Sequence, residues 1–259
     1  MAMSTSNVRM IITAVVTAAA VAAGSSSFGK ELTTTTEQSA ESQIRPICTT
    51  TPDNILTSNQ YFIVYDRAWR TIHKSDLPSD QDLTTILGPD NGSWSYDQKL
   101  LTTYLRRNMS AFARYLPQAR IIKMILRKAN PQALPTLNPV VIEKLDFGVG
   151  DVVCGIYKVL RREDALLEFG IEQLSPKAES QEKKTEQQFD GRLVIGIRPA
   201  SDIDSDSVEI YSETIMWRDN TKPNIIMPLE RKIPKVMHEL ASWWLLDSGV
   251  NYLKGLKGN

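Results

Sequence analysis

Three strand-type runs followed by one long amphipathic segment constrain the fold of this chain more than any other feature. The runs span 165–172, 191–198 and 208–217. In the first, Leu167, Phe169 and Ile171 share one face and Glu168 and Glu172 the other, the two-residue period of a strand with one buried side. The two carboxylates are therefore expected in solvent. The helical segment, 233–253, sets Ile233, Val236, Met237, Leu240, Trp243, Trp244 and Val250 along one stripe. Strands first and a long helix last predict an α+β chain: a curved antiparallel sheet gripping a long C-terminal helix, with helices N-terminal to the sheet. Such a frame usually encloses an apolar cavity. Asp247 falls inside the stripe, between Leu240 and Trp244 at about 100° per residue. It is expected either to line the cavity or to reach solvent or a backbone amide near Ser248-Gly249.

Upstream, residues 61–65 read as a short strand leading into a helix through Asp66, Arg67, Ala68, Trp69 and Arg70. Ser79 or Asp80 caps a helix that runs to Leu87, where Gly88-Pro89 stops it. From Tyr96, the residues Leu100, Leu101, Tyr104, Leu105, Phe112 and Leu116 recur at helical spacing. Pro117 interrupts that helix, and Ile121, Ile122, Met124 and Ile125 mark a shorter one ending before Asn130-Pro131. Residues 140–144 and 151–160 read as strands, and 161–164 as a charged hairpin. The polar stretch 177–188 reads as a mobile hairpin loop. Asp202, Asp204 and Asp206 resemble a fragment of a calcium loop without its Gly and distal Glu, so a solvated turn is expected.

The first thirty residues contain no Asp or Glu and a single Arg, Arg9, ahead of the apolar run 10–23. Fourteen residues fit a signal-peptide core better than a bilayer crossing, which needs ~20, and Val21-Ala22-Ala23 supplies small residues for cleavage near Gly24. The chain is expected to be secreted or exported, with no stable membrane span after processing. An organelle transit peptide or an N-terminal anchor is the alternative. Residues 24–51 are Ser- and Thr-rich and read as a disordered linker, leaving 52–259 as a single domain.

Thirty basic and thirty acidic residues cancel, and no long basic run interleaves with aromatics, so nucleic acid is not an expected partner. Cys48 and Cys154 lack the paired spacing of a zinc or redox motif. In an exported chain a Cys48–Cys154 bridge would tie the linker to the sheet; the first expectation is a free Cys48 and a Cys154 that is a small buried apolar residue. No metal site and no cofactor are expected, because Rossmann- and Walker-type phosphate loops are missing too. Of the sequons at Asn91 and Asn108, the second lies within a helical pattern, which disfavours its glycosylation.

Four stretches carry a resemblance: Tyr65-Asp66-Arg67-Ala68-Trp69 ahead of a Leu-Pro turn, Leu105-Arg106-Arg107-Asn108, 166–172, and the final helical segment. In these the chain resembles the helix-grip superfamily, which includes START-type lipid-transfer domains, birch-pollen-type allergens and aromatic polyketide cyclases. The resemblance implies a cavity for an apolar or aromatic small molecule. It carries over no defined catalytic set.

On this reading Trp69, Trp217, Leu240 and Trp244 would contact the ligand, with Trp69 and His73 near the cavity mouth. Asp247, with His73 or Tyr211, would be the proton-transfer set of a cofactor-independent cyclase, isomerase or dehydratase. His238 lies off the apolar stripe and is expected to be exposed. Carriage of a small apolar molecule is the first expectation, because burying such a ligand needs no catalytic residue. An accessory or assembly protein is the third, favoured by a filled core.

Overall fold

The computed structural model describes residues 28–35, as backbone, and 46–172, 189–200, 206–222 and 226–258. Residues 1–23, read above as a signal peptide, the stretch 177–188, and Asp202 and Asp204 lie outside the described residues. The elements in chain order begin with β1 (Phe28–Thr35), α1 (Asp53–Thr57), β2 (Tyr61–His73) and α2 (Asp80–Leu87). Then come α3 (Tyr96–Tyr115), α4 (Pro117–Ala129), α5 (Pro139–Ile142), β3 (Val152–Val153) and β4 (Tyr157–Arg162). The last are β5 (Leu166–Ile171), β6 (Asp190–Pro199), β7 (Ser207–Asp219) and α6 (Lys232–Gly255).

Six strands form an antiparallel sheet in the order β2-β7-β6-β5-β4-β3, and β1 pairs along the free edge of β2. The first long strand therefore lies beside the last, with Tyr61 opposite Asp219 and His73 opposite Ser207. The architecture is α+β with the long helix last, as expected from the order of strand and helix patterns.

The sheet's inner face gathers Ala68 and Ile72 of β2, Ile210 of β7, Ile195 and Ile197 of β6 and Leu167 and Phe169 of β5. Against them pack Leu100, Leu101, Tyr104 and Leu105 of α3 and Leu246, Val250 and Leu253 of α6. Burying each such side chain contributes about 1.5–3 kcal/mol. Helix α3 is the hub of this layer, and Gly249 lets α6 lie close to it. A Cβ at Gly249 would stand 2.4 Å from Asn108 Oδ1 and 2.6 Å from a Tyr104 ring carbon. Asn108 is thus buried between helices.

Several local expectations change. Asp66–Arg70 is not a helix but the middle of β2, because its charged side chains find partners on both sheet faces. Residues 140–144 form no strand, since the Asn138 side chain accepts from Val140 N–H (3.1 Å) and Pro139 opens the short α5. The run 151–160 is broken between β3 and β4 by Cys154 (φ 53°) and Gly155 (φ 74°). A Cβ on Gly155 would lie 2.3 Å from a Leu126 methyl. Its positive φ and this close methyl both favour glycine in the turn against α4. Pro117 does separate α3 from α4, and Ser79 with Asp82 makes the expected cap of α2.

Candidate functional site

The region expected to hold a ligand lies between β2 and α6. Two charged pairs lie there. His238 Nε2 is 3.1 Å from Asp66 Oδ2, and Arg70 forms an ion pair with Asp247. The axial lengths of the two steps match. Four strand residues from Asp66 to Arg70 span about 13 Å, and nine helix residues from His238 to Asp247 span about 13.5 Å. Strand and helix therefore run alongside each other over the same length, and because nine residues also turn the helix by about 180°, His238 and Asp247 leave α6 on opposite flanks. Burial lowers the Arg70 pKa from its ordinary value. Asn251 Nδ2 donates to Asp247 Oδ2 at 3.0 Å. Asp247 is thus an interface ion-pair partner rather than a cavity acid, and His238 is half-buried rather than exposed. Around the pairs the space is occupied by Ala68, Ile72, Ile210, Leu246 and Val250.

The other expected residues do not converge on Asp247. His73 is exposed, and its Nδ1 accepts from Ser75 N–H (3.2 Å) to cap the turn after β2. Tyr211, Trp69 and Trp217 lie on the outer face of the sheet, opposite α6. Tyr211 lies against Gly196, where an added Cβ would sit 2.5 Å from the phenol oxygen. Burial, with Glu213 nearby, pushes its pKa up to about 12. Arg67 lies over the Trp69 ring, and Arg192 over Trp217 at 4.9 Å. Leu240 and Trp244 are half-buried, and Trp244 meets the Tyr115 ring edge-on at 6.2 Å.

The outer face holds a polar cluster that the strand pattern did not indicate. Glu168 and Glu213 point away from the helices, as alternation requires, yet both are fully buried. The covering is the segment 46–51, the end of the stretch read as a linker. Glu213 accepts the N–H groups of Ile47 and Cys48, both at 3.0 Å, and the Tyr65 hydroxyl at 2.9 Å. Glu168 accepts the N–H groups of Thr49 (3.0 Å) and Thr50 (2.9 Å) and the Thr49 hydroxyl (3.0 Å). Burial pushes the Glu168 carboxyl up, but these donors outweigh it and hold the group below its ordinary value. Cys48 is enclosed beside Glu168, with its thiol pKa raised by burial. It lies on the opposite sheet face from the core where Cys154 is buried, and both cysteines are free.

A third feature lies at the surface. Ile233 and Val236, which lead the stripe expected to face the sheet, are 58% and 43% exposed. The buried residues of α6 are Ala241, Leu246, Gly249, Val250 and Leu253. The apolar surface continues onto α4, where Ile121, Met124 and Ile125 are exposed opposite the buried Ala119, Ile122 and Leu126. The two helices meet where Gln118 Nε2 donates to Met237 O at 2.8 Å. A charge signal accompanies the patch: α4, residues 117–129, contains four Lys and Arg and no Asp or Glu, an asymmetry hidden by the net charge of zero.

A cleft of about 380 Å³ opens between β6, β7 and α3, walled by Leu77, Leu100, Ile197 and Val208 with Lys74 and Asp97. A second, of about 340 Å³, lies between Leu87, Arg106 and Tyr252. Neither is lined by a residue expected to bind ligand or transfer protons. Among the described residues no group of His, Cys, Asp and Glu is arranged to hold a metal ion, and no helix is long and apolar enough to cross a membrane. No family model, curated protein or solved structure matches the chain.

Proposed function

We propose that this protein is a non-catalytic interaction module, an accessory or assembly protein built on a helix-grip frame. The frame is supported by the strand order, with the first long strand beside the last, and by the C-terminal helix on the inner face. The observation that carries the functional reading is the apolar stripe on α6. Ile233 and Val236 stay at the surface while other residues of the same helix fill the core, and an apolar patch left on a folded surface marks a contact site. Photo-cross-linking from position 124 or 236 in the source cells tests it. Adducts to a macromolecule or lipid are expected; adducts confined to the chain itself would remove the reading.

Carriage of a small apolar or aromatic molecule is a second reading, favoured by the cleft beside Leu100 and Ile197. It requires a bound mass in the native mass spectrum that Val208→Arg, on the half-buried wall of the cleft, removes.

A further inference from the structure

We propose that α4 and the first turns of α6 form a face that docks on an anionic membrane surface. This rests on the interaction-module reading and names the partner of that patch. Helix α4 carries two apolar ridges on opposite sides. Ala119, Ile122 and Leu126 enter the core, while Ile121, Met124 and Ile125 stand in solvent at 50%, 65% and 40% exposure. A helix satisfied by the core alone would be polar on that outer side.

The charges around the outer ridge select the partner. At about 100° per residue, Arg120, Lys123 and Arg127 fall together on one flank of α4, and Lys128 falls within the ridge. All four are exposed, none has a carboxylate partner among the described residues, and α4 contains no Asp or Glu. The other flank leads through Gln118 to α6, where Arg231 and Lys232 stand beside the exposed Ile233 and Val236. Tyr115 at the α3–α4 corner adds an exposed aromatic ring. Flexible apolar side chains between two rows of cations suit a lipid headgroup layer. The apolar groups enter the acyl boundary, and the long cations remain at the phosphates. A protein partner would have to supply both an apolar groove and an acidic rim. An anionic bilayer supplies both properties over a plane.

Co-sedimentation of the full chain with phosphatidylcholine vesicles, with and without phosphatidylglycerol, at low and high salt, tests the proposal. Binding should require phosphatidylglycerol and weaken at high salt. The double substitution K123E/R127E should lower partitioning by about twenty-fivefold or more, at roughly fivefold per cation. Met124→Asp should weaken binding to the same vesicles by a route that salt does not mimic. Unchanged far-ultraviolet dichroism would show both variants folded. Equal binding to neutral vesicles, or anionic binding that neither variant alters, would assign attachment elsewhere and overturn the proposal. If vesicles are not bound while cross-links from positions 124 and 236 reach a protein, the membrane is excluded and the interaction module stands. If those cross-links stay within the chain, both fall.

Discussion

Arg70 and Asp247 meet between β2 and α6, where the Arg70 side chain is only 6% exposed. A guanidinium taken out of water needs a counter-charge, and removing that charge costs more than the pair itself contributes. Asp247→Asn should therefore lower unfolding free energy by about 2–3 kcal/mol, read from the urea midpoint at constant slope. Replacing both partners with apolar residues, Arg70→Met with Asp247→Leu, should recover most of that loss. A proton-transfer role would instead leave stability nearly intact and abolish turnover. Gly249 makes the same interface sensitive to volume. Its alanine variant places a methyl against Asn108 and Tyr104 and should cost about 1–3 kcal/mol by overpacking, measured in the same titration.

The segment 46–51 behaves as an element although it has no regular structure, because two buried carboxylates hold four of its backbone N–H groups. With the folded pKa of Glu168 below its ordinary value, this contribution is complete above the unfolded pKa and is lost as pH falls through the folded one. The segment should loosen in acid, below about pH 4. At neutral pH, Glu168→Gln should mimic this, raising the labelling rate of Cys48 at least ~10-fold by mass spectrometry in a Cys154→Ala background. An unchanged rate would show that apolar cover alone holds the segment. The sequence made α2, α3, α4, β5, β6, β7 and α6 legible, because each has its own period or cap. It could not reveal this cover: Ser- and Thr-rich composition describes chain without a core of its own, and Glu168 and Glu213 meet it from more than a hundred residues away. The extent of β2 was hidden for a similar reason, since Asp66 and Arg70 break its apolar pattern until α6 supplies their partners. On α6 the period marked a helix, but its most apolar stripe joins Val250, buried in the core, to Ile233 and Val236, which stand in solvent. Hydrophobicity alone does not separate a core from a docking surface.

At the scale of the fold, one sheet separates a helical core from an outer face rich in arginine, aromatic rings and carboxylates, while an apolar patch and exposed cations gather at the α4–α6 corner. This division decides between a carrier and a filled domain. In a carrier, the residues between sheet and C-terminal helix border empty or exchangeable space, and truncating one enlarges that space at little cost. In a filled domain, truncation leaves a void whose neighbours have lost their contacts. Leu246, 1% exposed among core residues that include Ala68 and Val250, is the discriminating position. Leu246→Ala should destabilise the protein by about 3 kcal/mol, measured by denaturant titration with Leu240→Ala, on the half-buried side of the same helix, as the control. A loss below about 1 kcal/mol at Leu246 would mean that the interior has room to spare, outside the range for closed cores. The apolar cavity would then return as the protein's binding site, and the surface of α4 and α6 would need another explanation.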